Sequence, residues 1–225
     1  MKVGKYKLFS KETSEFSLDG GAVFGVIPNP LLEKQANPDH FNRIKMITRS
    51  LLLVSELNKI LIDTGNGTKW CEKLIERYNI DNSKYSIENP LSKYGYKPED
   101  ISDVICTHLH FDHEVGGTCF DGDKIVPKFP NANYWISKLN WNLINAPSPK
   151  DSGSFTESDW RVLEENNMII LVEGKTRFID GIDIFITNGH TCGLMHPIIS
   201  DEKDTIFFGA DIFTTVAHLQ VPWHG

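Results

Sequence analysis

The sequence predicts a mixed, layered α/β fold. Short apolar, β-branched or aromatic runs recur along the chain and end at Gly, Asn or Asp, the pattern of strands closed by turns. Amphipathic stretches are scattered among them without strict strand–helix alternation, which favours layered sheets with helices over repeated βαβ units. The size agrees: 225 residues, 40% hydrophobic and 24% charged, suit one globular domain over 1–225 with a sizeable core.

In chain order, the expected strands are "YKLF" (6–9), "GAVFGVI" (21–27), "SLLLVS" (50–55), "KILIDTG" (59–65) and "DVICT" (103–107). They continue with "NYWIS" (133–137), "MIILVEG" (168–174), "IDIFIT" (182–187), "HPIIS" (196–200) and "TIFFGAD" (205–211). Helices are fewer. "GTKWCEKLIERYN" (67–79) sets Trp70, Leu74 and Ile75 at helical spacing, with Thr68 as its cap. "KLNWNLIN" (138–145) and "TESDWRVLEENN" (156–167) also fit, and Thr156 followed by Asp159 resembles a capping box. "KPEDI" (97–101) starts a short helical turn, with Pro98 suited to its first position.

Charge and cysteine usage narrow the partners. A net charge of -7 and a pI near 5.6, with no basic stripe, argue against nucleic acid. The four cysteines (Cys71, Cys106, Cys119, Cys192) are scattered and lack a CxxC pair, as in reduced cytosolic proteins. "MKVGKYKLFSKETSEF" has no apolar core of the signal-peptide kind, and the apolar runs are far too short for a membrane span. A cytoplasmic protein with a small-molecule substrate and neither membrane nor nucleic-acid partner is expected.

The chemistry concentrates in "ICTHLHFDHEVGG" (105–117). His108 and His110 are one residue apart, so on an extended segment both imidazoles point the same way. Asp112 and His113 follow at a turn, where an exposed loop would aim them at a second, nearby point, and Gly116 and Gly117 permit tight backbone there. "TNGHTCG" (187–193) places His190 on a loop after a strand, and "FFGAD" (207–211) ends a strand at Asp211. Imidazole nitrogens and carboxylate oxygens suit zinc, with iron or manganese as alternatives. Cys192 reads as a small packing residue, not a nucleophile.

The order "DTG" (63–65), "HLHFDH" (108–113), "GHTCG" (189–193) and "GAD" (209–211) resembles the metallo-β-lactamase superfamily of hydrolases over nearly the whole chain. That resemblance implies a four-layer αββα sandwich: two mixed β-sheets face to face, helices outside, and a two-metal site along one edge. It implies that His108, His110 and His190 hold the first metal, that Asp112 and His113 hold the second, and that Asp211 bridges both. Asp63 would orient a ligand or its loop. Oxygen-reducing di-iron relatives carry glutamate where this chain has His110, so the resemblance favours the hydrolytic, zinc-type centre.

The reaction implied is attack by a hydroxide held between two divalent cations, a single zinc already lowering the pKa of bound water to roughly 7. Asp112 and Asp211 would be its catalytic carboxylates, with Asp112 also relaying a proton to the leaving group. Residues 15–35 and the segment after them resemble lactonase-like members, of the N-acyl homoserine lactonase kind. There Phe24, Ile27, Leu31 and Leu32 would wall an acyl chain. A thioester substrate, as in glyoxalase II-like members, a phosphodiester, and an inactive metal-binding module are the alternatives. Members usually carry a last ligand histidine some tens of residues beyond the bridging aspartate. This sequence ends at Gly225, and neither His218 nor His224 takes that role, so a C-terminally truncated form of the fold is expected. A homodimer is one way to cover the sheet edge that such a form leaves bare.

Overall fold

The computed structural model describes residues 1–25 and 28–219. Its strands are β1 (Lys2–Val3), β2 (Tyr6–Asp19), β3 (Arg43–Val54), β4 (Lys59–Ile62), β5 (Asp103–Ile105), β6 (Thr118–Asp121) and β7 (Lys124–Pro127). They continue as β8 (Asn133–Ser137), β9 (Ile169–Val172), β10 (Thr176–Ile179), β11 (Ile182–Thr187), β12 (Leu194–Ser200) and β13 (Thr205–Phe207). The helices are α1 (Gly20–Phe24), α2 (Asn29–Ala36), α3 (Glu72–Tyr78), α4 (Glu88–Lys93), α5 (Phe111–Glu114), α6 (Lys138–Asn145) and α7 (Glu157–Glu165).

A seven-stranded sheet has the order β1-β2-β3-β4-β5-β8-β9, and a four-stranded sheet the order β10-β11-β12-β13. The first is antiparallel from β1 to β4 and parallel from β4 to β9. Its parallel half requires crossovers, which carry the helices. The second is antiparallel throughout.

Side-chain alternation on the central strands builds two cores. Ile60 and Ile62 on β4, with Leu53 and Ile105, meet Ile182, Ile184, Met195 and Ile199 of the second sheet. Leu61 points the other way and joins Leu52, Val104, Tyr134 and Ile136 beneath Leu91 of α4, Ile144 of α6 and Trp160 and Leu163 of α7. Strands buried on both faces, such as "KILI" and "DVI", read as continuous apolar runs for this reason. Among the described residues, α4, α6 and α7 cover the outer face of the first sheet, and Phe185 and Phe207 stand exposed on the second sheet. Among the described residues, no helix is long and apolar enough to cross a membrane.

Several elements differ from the sequence reading. "GAVFGVI" is not a strand: the Asp19 carboxylate accepts from the Gly21 and Ala22 N–H groups at 2.9 and 3.1 Å and starts α1. Val26 and Ile27 lie outside the described residues. β2 and β3 are far longer than "YKLF" and "SLLLVS": they pair at 12 matched positions, and beyond the apolar end the pairing continues through residues that do not look apolar. α3 begins at Glu72 after Cys71, so Thr68 is not its cap. Thr156 precedes α7 but makes no side-chain cap, and Asp159 turns inward to Lys69. The 97–101 turn, α6, β8 and β11 are as expected.

Candidate metal centre

The site lies where strand ends of both sheets meet. Asp63 follows β4, residues 107–110 follow β5, His190 sits between β11 and β12, and Asp211 follows β13. Asp112 and His113 are not on an exposed loop: His110 precedes α5, and the helical turn Phe111–Glu114 carries both side chains inward, each 13% exposed. The structure brings His108, His110, His190, His113, Asp112 and Asp211 together, with Asp63 behind them.

Asp63 sets the protonation of two imidazoles. Its carboxylate accepts from the Thr107 N–H at 2.8 Å, from the Thr107 hydroxyl at 2.8 Å and from His113 Nδ1 at 2.9 Å. His113 therefore donates from Nδ1, and its Nε2 faces the cluster. Thr107 has given its proton to Asp63, so its oxygen accepts from His108 Nδ1 at 3.1 Å. His108 is fully buried, and its Nε2 has no hydrogen-bond partner among the described residues. A buried nitrogen lone pair without a partner is costly in a folded protein and fits a cation site.

The cluster divides into two halves around His108. One ligand atom from each of His108, His110 and His190 lies within 4.8 Å of the others, and the same holds for His108, His113 and Asp211. His190 Nε2 is 3.1 Å from His110 Nδ1. That is close to the roughly 3.3 Å expected of two nitrogens on one tetrahedral zinc. Asp211 stands between the halves, with Oδ2 3.6 Å from His190 Nε2 and Oδ1 3.2 Å from His113 Nε2. Asp112 Oδ2 is 3.6 Å from the same His113 nitrogen.

Electrostatics separates the halves in the same way. Burial first, then the neighbouring imidazoles, hold His108 well below the usual histidine range and His110 at about 3. His190, whose ring is 27% exposed, is lowered mainly by burial. These three are neutral and offer lone pairs. Burial also opposes a charge on His113, but Asp211, Asp112 and Asp63 together outweigh it and raise that group well above the usual range. Burial and then Asp211 push Asp112 up to about 6, while His113 overcomes burial to hold Asp211 at about 2. Carboxylates here outnumber cations, a balance that positive ions would redress.

Local backbone serves the site. Asn37, Asn42, Asn79 and Asn167 account for four of the positive-φ non-glycine residues described, and the other three, Asp63, His190 and Ala210, all flank the cluster. A Cβ on Gly116 would lie 2.2 Å from the Thr64 carbonyl oxygen, so only glycine lets these two loops touch.

Two supporting residues were not anticipated. Thr107 joins Asp63 to His108, and its place directly before "HLH" was the only sign. Asn140, fully buried on α6, accepts from the Leu109 N–H at 2.9 Å and donates to the Cys192 carbonyl at 2.9 Å. It thereby ties the 108–110 segment to the His190 loop. An asparagine one helical turn before Ile144, on the apolar side of "KLNWNLIN", was its signal.

Phe24 packs in a core with Leu32 and Ile44 and stacks on the His218 ring at 4.6 Å, while Leu31 is exposed. Both ring nitrogens of His218 bond elsewhere, to Thr215 at 2.8 Å and to the Val23 carbonyl at 3.1 Å. The cavity that borders Asp112, His113 and Asp211, about 250 Å³, is lined instead by Phe16, Met46, Thr48, Arg49, Phe208 and Phe213.

A layered sheet sandwich with converging imidazoles and carboxylates at its strand ends offers donor groups that could hold metal ions. The chain belongs to the metallo-beta-lactamase superfamily, whose family model matches residues 45–225. An N-acyl homoserine lactonase of a Bacillus species is 26% identical over 164 residues, covering 68% of this chain and 58% of that protein. The N-acyl homoserine lactonase of Bacillus thuringiensis is 25% identical over 207 residues, covering 72% of this chain and 80% of that one. A probable metal-dependent hydrolase from Staphylococcus aureus has the same fold, with a TM-score of 0.89 and 30% identity, over 99% of this chain and 79% of its own.

Proposed function

We propose that this chain is a metal-dependent hydrolase of lactones or related esters, with two divalent ions, of which zinc suits the donors best. His108, His110 and His190 would hold one ion, Asp112 and His113 the other, and Asp211 would bridge them. The observation that carries this is the buried, unpartnered Nε2 of His108, shared by both donor groups. When bound, such ions acidify a water and polarise an acyl oxygen.

The chain's own residues do the rest. Asp63 accepts from His113 Nδ1 directly and orders His108 Nδ1 through Thr107, so both Nε2 atoms face the cluster, and the second proton that the carboxylates hold on His113 is the one a bound cation would displace. Asp112 Oδ2, 3.6 Å from His113 Nε2, would take a proton from the attacking water and return it to the departing alkoxide. Asn140 holds the two histidine loops at fixed separation.

The lining of the adjacent cavity supports the substrate class. Met46, Phe208 and Phe213 offer apolar surface beside Thr48 and Thr214, and Arg49, paired to Glu12 at 3.2 Å, is the guanidinium among the lining residues. A polyanion would need more. The Bacillus relatives, as N-acyl homoserine lactonases, act on substrates of this neutral kind. Elemental analysis of the purified protein, with a lactone, thioester and phosphodiester panel, tests the proposal. Bound metal with lactone or ester turnover is expected. Phosphodiester cleavage without lactonase activity refutes the substrate class, and tight metal without any hydrolysis would leave a binding module.

A further inference from the structure

We propose that Lys69 is a positioning residue for the metal centre: its buried ammonium fixes the backbone turn that carries Asp112 and His113. This role rests on the metal reading above. The Lys69 side chain is 2% exposed, yet it touches none of the candidate ligands. Its Nζ donates to the Val115 carbonyl at 2.6 Å and the Thr118 carbonyl at 3.0 Å, and pairs with Asp159 Oδ1 at 2.9 Å. Three N–H bonds meet three acceptors, so the ammonium is saturated.

Those two carbonyls matter because of where they are. α5 is a single turn that runs into a 3-10 turn at Val115–Gly117, where the Val115 carbonyl accepts from the Thr118 N–H, and Thr118 opens β6, so Lys69 ties the end of that turn to the start of the strand. Water does not reach them, since Val115 and Thr118 are buried. A lysine ammonium there gives the Val115 carbonyl a second donor and the Thr118 carbonyl a charged one, just beyond the helical segment that holds Asp112 and His113.

The facing loop leaves this turn no slack. The His113 carbonyl accepts from Thr64 N–H at 2.7 Å, Gly65 N–H at 3.2 Å and the Thr64 hydroxyl at 3.1 Å, and Gly116 N–H donates to the Gly65 carbonyl at 2.9 Å. A Cβ on Gly67 would lie 2.8 Å from the Val115 oxygen. Backbone therefore rests on backbone, and a shift at Val115 must pass to His113 or to the neighbouring Asp63. Lys69, two residues beyond Gly67, clamps the two loops from the outer end. Asp159, on α7 beside the core residues Trp160 and Leu163, refers that clamp to the helix layer. The ammonium also faces the buried Glu114 carboxyl, whose proton is retained chiefly through burial and the nearby Asp159.

Two variants separate positioning from simple stabilisation. Lys69→Met removes the charge and the donors at similar length, and Lys69→Met with Asp159→Asn also removes the carboxylate left unpaired. Co²⁺ affinity by chelator competition, the visible spectrum of bound Co²⁺ and the metal-free Tm are measured for each. Positioning predicts affinity lower by about 10–100-fold and shifted Co²⁺ bands in both variants, even though the double variant regains Tm. Should the single variant fail to fold, the double variant decides. Affinity within about twofold of wild type with an unchanged spectrum in a folded variant, or recovery of both together with Tm, overturns the proposal. A wild-type protein that binds no Co²⁺ refutes the metal reading itself, and is distinguished by failing before any substitution is made.

Discussion

Asp63→Asn is the most discriminating substitution, because it removes one carboxylate charge and reverses the hydrogen-bond donors around two imidazoles at nearly constant shape. Asp63 has φ +55°, a left-handed conformation that asparagine tolerates, so the backbone is not strained. The amide oxygen still accepts from the Thr107 N–H. The amide nitrogen, however, replaces Oδ2, which now accepts from the Thr107 hydroxyl and from His113 Nδ1. Donor would face donor at both contacts. The relief available is for the Thr107 hydroxyl to turn, accept from the amide and donate to His108 Nδ1, while the proton of His113 moves to Nε2. Both imidazoles then present N–H where they presented lone pairs. Loss of a charge-assisted hydrogen bond removes about 1.5–3 kcal/mol of stability. Zinc affinity should fall by about 10–100-fold, equivalent to ~1.4–2.7 kcal/mol. Chelator competition gives the affinity, and ¹⁵N correlation spectra of the imidazoles give the tautomers. Wild-type zinc affinity with protons still on Nδ1 in the variant would refute this account of Asp63.

Gly116→Ala should destabilise by about 1–3 kcal/mol or more, since its Cβ would lie 2.2 Å from a backbone oxygen that has nowhere to go; an unchanged urea midpoint would contradict the close approach. Tyr6 is raised to about 12, first by burial and then by Asp180. Its hydroxyl is favoured neutral in the folded state, so the contribution is complete below pH 10 and is lost as pH rises through about 12. Denaturation at several alkaline pH values should show that loss in wild type and a flatter profile in Tyr6→Phe. His108→Ala and Asp211→Ala should each abolish hydrolysis and lower metal content, measured on the same preparation; full rate in either would remove that residue from the ligand set.

The central strands were legible because burial on both faces leaves them continuously apolar. "NYWIS" matches β8 end to end, and "IDIFIT" matches β11 although Phe185 on its outer face is exposed. The long β2–β3 pair was not legible beyond its apolar ends. Its other half is mostly polar, as in "SKETSEFSLD", and is held by cross-strand contacts such as Glu12 with Arg49 and Glu15 with Lys45. Sequence periodicity does not reveal a partner strand. The α1 error has another cause: a run of small and β-branched residues looks extended, yet the Asp19 carboxylate and the paired glycines give the backbone a cheaper helical turn there.

The candidate ligands were legible for a different reason. They are side chains whose chemistry is visible in one letter, and two of them stand side by side on one short segment. What the sequence concealed is the apparatus that makes them useful, since Thr107, Asn140 and Lys69 are ordinary residues until the fold brings them to a carboxylate, a peptide or a carbonyl. Each acts on the backbone or on the far nitrogen of a ring, never on the cluster's open face. An imidazole presents its lone pair inward only when something holds a proton on its other nitrogen. Asp63 meets that condition for His113 and, through one hydroxyl, for His108. The "DTG" loop is thus chemically part of the centre although none of its atoms need touch an ion, and its spacing from "HLHFDH" follows from the parallel pairing of β4 with β5.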